Sequence, residues 1–225
     1  MNQGPLETDP QTYLQLCVGQ PAPARPARCL ILLHGVLQNE TTLAGLGAAV
    51  AADTLVVWVR SPIELAPEGY GCFHVNFTAA GPVINAAEAE ASRLLLMRLV
   101  ESVQTRHGVA PERTVLAGFS QGGIMSASVA LTAPELLAGF AILGGRILPE
   151  ITPFLASRAR LARLRAFVGH GHADDKLPVS WAERARVQLD ELGVAQVQRR
   201  YDCGHTVAPD MAADFLAWMN EVTGA

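Results

Sequence analysis

Residues 114–123 read TVLAGFSQGG and carry the pattern Gly118-x-Ser120-x-Gly122. The apolar run before Gly118 predicts a strand, and the run from Gly123 to Leu131 is typical of a helix. In such a strand-turn-helix unit the serine lies in a sharp turn. The flanking positions must be glycine, because a side chain there would collide with the neighbouring strand or helix. The stretch therefore predicts that Ser120 is a nucleophile whose hydroxyl is presented to substrate.

Apolar strands and longer helical segments alternate along the rest of the chain. The clearest helix is predicted from Val83 to His107, with Gly108 as its stop, and further helices over 179–192 and 208–222. Alternation of this kind predicts right-handed crossovers, a mostly parallel sheet with helices on both faces, and ligands at the carboxyl ends of strands. The predicted strands are Leu30–Leu33, Leu55–Val59, Val115–Phe119, Phe140–Leu143, Ala166–Val168 and Val197–Tyr201.

Two segments do not follow the alternation. Residues 1–27 are rich in proline and polar residues, which predicts an edge strand, an edge hairpin or a loose arm. Residues 61–82 are rich in glycine and proline and have no clear periodicity. Because long loops in compact domains tend to be functional, this segment is predicted to form the wall of an acyl pocket, with Tyr70 and Phe73 contacting substrate.

Composition excludes several classes of protein. With 225 residues, half of them hydrophobic, the chain is expected to fold as a single domain over residues 1–225. The 17 basic and 21 acidic residues give a net charge of −4, so no nucleic-acid partner is expected. The apolar runs are too short to span a bilayer, and the N-terminus lacks the basic start of a signal peptide, so no stable membrane insertion is expected. The surplus of apolar residues is compatible with a homodimer.

The four cysteines predict a reducing environment. No two of them have the C-x-x-C spacing of a zinc or redox motif. We therefore interpret them as free thiols, which indicates the cytoplasm. Cys203 lies close to a candidate catalytic histidine, which raises the alternative of a cysteine nucleophile. It lacks the strand-turn-helix setting of Ser120, and a packed, inert thiol is the preferred interpretation.

A serine hydroxyl needs a base to take its proton, and the base needs an acid to orient it. His205 is the candidate base, because it is the last histidine and follows the predicted strand Val197–Tyr201. Asp174 is the leading acid. Spacing alone does not separate Asp174 from Asp175, and Asp202 is a third choice, only three residues from His205.

The reaction also needs backbone N–H groups that stabilise an oxyanion. One is expected from Gln121, the residue after the nucleophile. The other is expected from Val36, because Gly35 lets the chain turn at the end of the strand Leu30–Leu33. His34 is expected to brace this turn.

Four motifs in this order resemble the phospholipase/carboxylesterase family, which includes the acyl-protein thioesterases. They are Leu33-His34-Gly35, the GFSQGG string at 118–123, His170-Gly171-His172-Ala173-Asp174 with Pro178, and Gly204-His205. The resemblance covers the chain from about residue 28 to the C-terminus. It implies the α/β-hydrolase fold, a mostly parallel central sheet flanked by helices on both faces, and a triad of Ser120, Asp174 and His205 without cofactor or metal.

By this resemblance the protein is expected to be a serine carboxylesterase acting on small-molecule or lipid esters. Acyl-protein thioesterase or lysophospholipase activity is the alternative. The chain departs from the family where an aromatic Trp-Phe pair is usual, because it carries Gly71-Cys72-Phe73-His74 there. The stretch Gly144–Pro149 resembles a family loop that borders the site. Arg146 is accordingly a candidate contact to an acyl or carboxylate group, with an ordinary surface position as the alternative.

The sequence also allows three competing interpretations. A zinc site could be built from His170, His172, Asp174 and Asp175, but it would leave the GFSQGG string unexplained. The arginines at 158, 160, 163 and 165 could form a basic patch, although a solvated helix face is the commoner outcome. A catalytically silent binding protein could retain the fold, but every member of the triad is present.

Overall fold

The computed structural model describes residues 2–78 and 81–224, without the side chain of Phe77. Its strands are β1 (Asn2–Thr8), β2 (Gln15–Gln20), β3 (Arg28–Leu33), β4 (Thr54–Val59), β5 (Ile63–Ala66), β6 (Gly69–Gly71), β7 (Val75–Thr78), β8 (Gly81–Ile84), β9 (Thr114–Phe119), β10 (Gly139–Leu143), β11 (Arg165–Gly171) and β12 (Ala195–Tyr201). Its α-helices are α1 (Ala44–Ala48), α2 (Ala86–His107), α3 (Gln121–Thr132), α4 (Arg158–Leu161), α5 (Ser180–Leu192) and α6 (Pro209–Val222).

Eight strands form the central sheet in the order β1-β2-β4-β3-β9-β10-β11-β12. The six strands from β4 to β12 in this order are parallel to one another. β2 is antiparallel to β4 and pairs with β1 in a hairpin at the edge of the sheet, so residues 2–20 of the predicted N-terminal segment form an edge hairpin. The prediction of a mostly parallel sheet is confirmed.

The central strands are apolar throughout because both of their faces are covered. Alternate residues of β3 enter different cores: Ile31 packs on the side of α2 to α5, and Leu30 on the side of α1 and α6. Both side chains are fully buried. A strand buried on both faces loses the polar alternation of a half-exposed strand, and the predicted arrangement of helices on both faces is confirmed. Within the described residues, no helix combines the length and apolar character needed to cross a bilayer.

Helix α2 begins three residues later than the sequence predicts. Val83 and Ile84 belong to β8, and the side chain of Asn85 then caps the helix by accepting a hydrogen bond from the Glu88 amide. The helix ends at His107 as predicted, and Gly108 follows with φ of 65°, a left-handed conformation that glycine adopts without steric cost.

Residues 61–82, which the sequence predicts as a loop without regular structure, contain short strands. β5 pairs with β6, and β7 pairs with β8, each in an antiparallel hairpin. These strands have only three or four residues, too few for a periodic pattern to be recognised. The segment's described residues contact the chain just beyond the carboxyl ends of β3 and β9, because Ser61 is hydrogen bonded to His34 and Cys72 to Gln121. The candidate site is found there.

Candidate active site

Ser120 lies between the end of β9 and the start of α3 in a strained turn. Its φ and ψ of 52° and −116° fall outside the regions that non-glycine residues favour. The turn is held from both sides, because the Ser120 amide donates to the Leu143 carbonyl at 2.8 Å and the Ile124 amide donates to the Ser120 carbonyl at 3.0 Å. The backbone thus holds the hydroxyl in one place.

The glycines on either side of Ser120 are required by close backbone contacts. A Cβ atom at Gly118 would lie 2.3 Å from the carbonyl carbon of Gly122, and one at Gly122 would lie 2.1 Å from the Leu33 carbonyl oxygen. Both distances are shorter than any normal non-bonded contact. Glycine at these positions lets β9, α3 and the end of β3 pack directly against one another.

The structure brings Ser120, His205 and Asp174 into one chain of hydrogen bonds. His205 lies in the loop between β12 and α6, and its ring packs on Phe119 with centroids 4.8 Å apart. Its Nε2 is 2.9 Å from Ser120 Oγ, and its Nδ1 is 2.7 Å from Asp174 Oδ2. Because a carboxylate only accepts, Nδ1 carries the proton and Nε2 is free to accept the serine proton.

Asp174 is held as a carboxylate by donors on both of its oxygens. Oδ1 accepts hydrogen bonds from the Lys176 and Leu177 amides at 2.9 and 2.8 Å, and Oδ2 lies 3.3 Å from His170 Nε2. Burial opposes ionisation, but the hydrogen bonds from His170, His205 and the Leu177 amide outweigh it and keep the Asp174 pKa well below its ordinary value. Asp174 therefore stays negatively charged and can stabilise a positive imidazole.

The lowered pKa of Asp174 predicts a pH-dependent contribution to stability. Because the folded-state pKa lies below that of the unfolded chain, the ionised carboxylate adds stability above about pH 4, and this is lost as the pH falls further. We expect wild type to exceed Asp174→Asn in free energy of unfolding by on the order of 2 kcal/mol at pH 7, with the gap narrowing below pH 4. Urea unfolding at several pH values measures the gap.

Asp175→Asn is the matched control for this experiment, because it removes a neighbouring carboxylate whose side chain is 73% exposed. Exposed ion pairs contribute little, so this substitution is expected to change stability by less than about 0.5 kcal/mol. A gap between wild type and Asp174→Asn that stays constant down to pH 3 contradicts the prediction.

The alternative acids lie away from the base. Asp175 points to solvent and pairs with Lys176 at 3.3 Å, and Asp202 is exposed. Of the three candidates left open by spacing, Asp174 contacts His205.

The cysteine and zinc alternatives find no support in the geometry. Burial and nearby carboxylates raise the pKa of Cys203, whose Sγ lies 3.9 Å from the Thr206 carbonyl. A raised pKa keeps the sulfur as a thiol, which is a weak nucleophile. His172 is exposed, and no cluster of three metal-ligating side chains occurs within residues 2–78 and 81–224.

Val36 and Gln121, the predicted sources of the oxyanion-binding amides, lie at the same cavity as Ser120. Both residues line the cavity that contains Ser120, and in the described part of the chain neither amide donates to another protein group. A Cβ atom on Gly35 would lie 3.3 Å from Ser120 Cβ, so the turn after β3 packs tightly beside the serine. Two such N–H groups can stabilise an oxyanion.

His34 braces this turn, as the sequence predicts. Its Nδ1 donates to the Gly35 carbonyl at 2.7 Å, and its Nε2 accepts from the Ser61 amide at 3.0 Å. Burial lowers the His34 pKa, which keeps the ring neutral and able to serve as donor and acceptor at once. The ring thereby joins the turn after β3 to the start of the 61–82 segment.

Ser120 and His205 open into a mainly apolar cavity of about 250 Å³. Phe73 and Arg146, two of the three predicted substrate contacts, line it. The lining consists of Gly35, Val36, Gln38, Phe73, Val75, Pro82, Ile84, Phe119, Ser120, Gln121, Ile124, Arg146, Lys176, Leu177 and His205. Within the predicted wall segment 61–82, the residues that line the cavity are Phe73, Val75 and Pro82.

Tyr70 does not line the cavity that contains Ser120. Its ring packs against the Arg60 guanidinium, 4.5 Å from the ring centroid, and its hydroxyl accepts a hydrogen bond from Arg60. Side chains alternate along a strand, and Gly71 is the position that faces the Gln121 side chain, so Tyr70 points the other way. Its position does not support the predicted contact with substrate, because a strand of three residues is too short for the sequence to show which side chains face the cavity.

Several functional contacts were missed from the sequence. The Gln121 side chain accepts from the Cys72 amide at 2.7 Å and donates to the Phe73 carbonyl at 2.9 Å, so it anchors the pocket wall to α3.

His170 donates to the Leu177 carbonyl at 2.7 Å while contacting Asp174. An aspartate that accepts from amides two and three residues ahead is a recognisable Asx turn, so the string from Asp174 to Pro178 carried a usable signal.

A phospholipase/carboxylesterase family model matches residues 20–222. The chain belongs to this family. The resemblance inferred from its four motifs is therefore confirmed, and with it the α/β-hydrolase fold.

Two relatives match parts of this phospholipase/carboxylesterase chain. Poly(3-hydroxyalkanoate) depolymerase C of Paucimonas lemoignei is 24% identical over 177 residues, which cover 78% of this chain and 39% of that protein. Acyl-protein thioesterase 1 of Emericella nidulans is 33% identical over 96 residues, 42% of this chain and 40% of the thioesterase. The chain thus spans about two fifths of the length of each of these relatives.

Solved structures support the same fold. A carboxylesterase from Mesorhizobium loti superposes with a TM-score of 0.82, covering 97% of this chain and 99% of that structure at 22% sequence identity. At this identity the likeness establishes the α/β-hydrolase fold.

Proposed function

We propose that this protein is a serine carboxylesterase that hydrolyses carboxylic esters through an acyl-enzyme on Ser120. The observation that carries the proposal is the unbroken chain of hydrogen bonds from Ser120 through His205 to Asp174, at 2.9 and 2.7 Å. A neutral imidazole held between a carboxylate and a serine is the arrangement that activates a hydroxyl. The chain of hydrogen bonds argues against a catalytically silent binding protein.

In the proposed reaction, His205 takes the Ser120 proton as Oγ attacks the carbonyl carbon. The Val36 and Gln121 amides donate to the resulting oxyanion. When the intermediate collapses, His205 gives its proton to the departing alcohol and the acyl group remains on Oγ. A water molecule then attacks this ester with His205 again as base, which releases the carboxylic acid and restores the hydroxyl. Asp174 stays ionised throughout and stabilises the imidazolium.

The second candidate is hydrolysis of acyl thioesters or lysophospholipids. The thioester activity is favoured by the similarity to acyl-protein thioesterase 1, and the apolar cavity wall formed by Phe73 and Ile84 suits an acyl chain in either case. Esters and thioesters pass through the same type of tetrahedral intermediate. Parallel assays of a p-nitrophenyl ester and an S-acyl thioester with the same acyl group separate the two substrate classes.

We expect a fluorophosphonate probe to modify Ser120. The probe reacts with serine hydroxyls that an adjacent base activates, so the phosphonylated peptide should contain Ser120 when analysed by mass spectrometry. Cys203→Ala is the control, because it removes the rejected nucleophile, and it should be labelled as fast as wild type. Labelling at another residue, or labelling that depends on Cys203, contradicts the proposed function.

We further propose that the protein works in the cytoplasm. Four free cysteines, three of them buried, support a reducing compartment. The homodimer also stays a proposal, which analytical ultracentrifugation of the purified protein tests.

A further inference from the structure

Arg146 is a buried cation without a protein counter-charge. The residue is 6% exposed, and its Nε is buried without a hydrogen-bond partner. Within residues 2–78 and 81–224, Arg146 forms no ion pair. Glu150 attracts the Arg146 guanidinium electrostatically, but it lies beyond ion-pair distance and its side chain is exposed. A charge buried in this way is costly unless another group compensates it.

The side chain of Arg146 is held at the wall of the active-site cavity. It lines the same cavity as Ser120 and His205. The loop that carries it is packed beside the nucleophile, because a Cβ atom on Gly145 would lie 2.9 Å from the Ser120 carbonyl oxygen. The guanidinium stacks on the Trp181 ring of α5, 4.7 Å from its centroid. Stacking fixes the plane of the guanidinium and leaves its N–H groups available.

The cavity around Arg146 has a positive balance of charge. Its other charged lining residue is Lys176, whose side chain is 61% exposed and pairs with Asp175 outside the cavity. Asp174 lies behind His205, to which it is hydrogen bonded, and is not among the lining residues. No carboxylate among the described residues therefore faces Arg146 across the cavity.

We propose that Arg146 binds a carboxylate of the substrate and selects esters that carry a second, free carboxylate group. This inference rests on the proposed esterase function and names its substrate class. A guanidinium presents paired N–H donors that match the two oxygens of a carboxylate, and the apolar cavity strengthens the interaction by excluding water. The carboxylate can belong to the acyl part, as in a half-ester of a dicarboxylic acid, or to the alcohol.

The first experiment compares p-nitrophenyl hydrogen adipate with its methyl ester, a substrate of nearly the same shape that lacks the charge. We expect wild type to hydrolyse the charged substrate with kcat/KM at least tenfold higher. A second pair, 3-carboxy-4-nitrophenyl hexanoate and p-nitrophenyl hexanoate, places the carboxylate on the alcohol. The pair that shows the larger dependence on Arg146 identifies which part of the ester carries the group.

Variants assign the selectivity to the guanidinium. Arg146→Gln should lower the ratio of kcat/KM for charged over neutral ester by about 10- to 100-fold, mainly through KM, because a charge-assisted hydrogen bond is lost. Arg146→Lys keeps the charge without the paired donors and should give an intermediate ratio. Arg184→Gln is the matched control, because Arg184 stacks on the same Trp181 ring at 4.6 Å but is exposed and lies outside the cavity lining. It should leave the ratio unchanged.

The outcomes separate this proposal from the esterase function. A wild-type enzyme that hydrolyses both members of each pair equally well, or prefers the neutral ester, overturns the role of Arg146 and leaves the esterase function intact. Equal loss on both substrates in Arg146→Gln also overturns it, since it indicates a structural role. If wild type hydrolyses none of the four esters, the proposed function itself fails. The wild-type preference is measured without any variant, so poor folding of Arg146→Gln does not remove the test.

Discussion

Replacing Ser120 by alanine should reduce kcat for a p-nitrophenyl ester by roughly 10³- to 10⁶-fold. The substitution removes the atom that bonds to the acyl carbon. His205 Nε2, which lies 2.9 Å from Ser120 Oγ in wild type, then has no hydroxyl to deprotonate. Some catalysis should persist because the Val36 and Gln121 amides can still stabilise an oxyanion formed by water attack. Steady-state assays with enough protein to detect slow turnover measure the residual rate.

Ser126→Ala is the matched control for this loss. Ser126 lies on α3, less than two turns from Ser120, and its buried hydroxyl donates to the Gly122 carbonyl at 2.9 Å. Its removal deletes one internal hydrogen bond, at a cost of about 1 kcal/mol in stability, and leaves the reacting groups in place. We expect kcat within about threefold of wild type. A decrease of less than tenfold in Ser120→Ala would exclude Ser120 as the nucleophile.

Asp174→Asn should lower kcat by about 10⁴-fold at neutral pH. The substitution preserves size but removes the negative charge that stabilises the imidazolium. An amide nitrogen at this position can donate to Nδ1 of His205, which would move the imidazole proton to Nε2 and remove the acceptor that Ser120 needs. KM should change much less than kcat, because Asp174 lies behind His205 and does not line the cavity.

Asp175→Asn tests whether the effect belongs to this carboxylate or to local charge in general. The two residues are adjacent, but Asp175 points to solvent beside Lys176. Its replacement should leave kcat within about twofold of wild type. Comparable losses in the two variants, or a loss below tenfold in Asp174→Asn, would show that His205 does not depend on Asp174 for its orientation.

The strands and the nucleophilic turn could be predicted because their requirements are local. A strand buried on both faces needs a continuous apolar run, and β3, β4, β9 and β10 each carry one. The turn at Ser120 needs glycine at 118 and 122 because backbone atoms of Gly122 and Leu33 occupy the space of a side chain. Such constraints leave direct traces in the order of residues.

The pocket wall could not be predicted because its constraints are not local. Whether Tyr70 or Gly71 faces the cavity depends on a hairpin of three- and four-residue strands, and that hairpin is held against α3 by the Gln121 side chain. Residues 49 positions apart make this contact. A one-residue change in the phase of so short a strand exchanges the two faces, and the sequence contains too few positions to reveal the phase.

The amino-acid sequence was sufficient to determine the α/β architecture, the position of the strained turn and the family, because each of these depends on short runs of residue types. Residue spacing left Asp174 and Asp175 open, and the tertiary structure shows that Asp174 contacts His205. Tertiary structure alone decided that Tyr70 does not line the cavity of Ser120, and that Arg146 is buried at this cavity without an ion-pair partner among the described residues. These facts depend on where side chains from distant loops meet at the carboxyl edge of the sheet. Packing across the whole sheet sets that geometry. Short sequence patterns do not reveal it, because it arises only when the complete chain has folded.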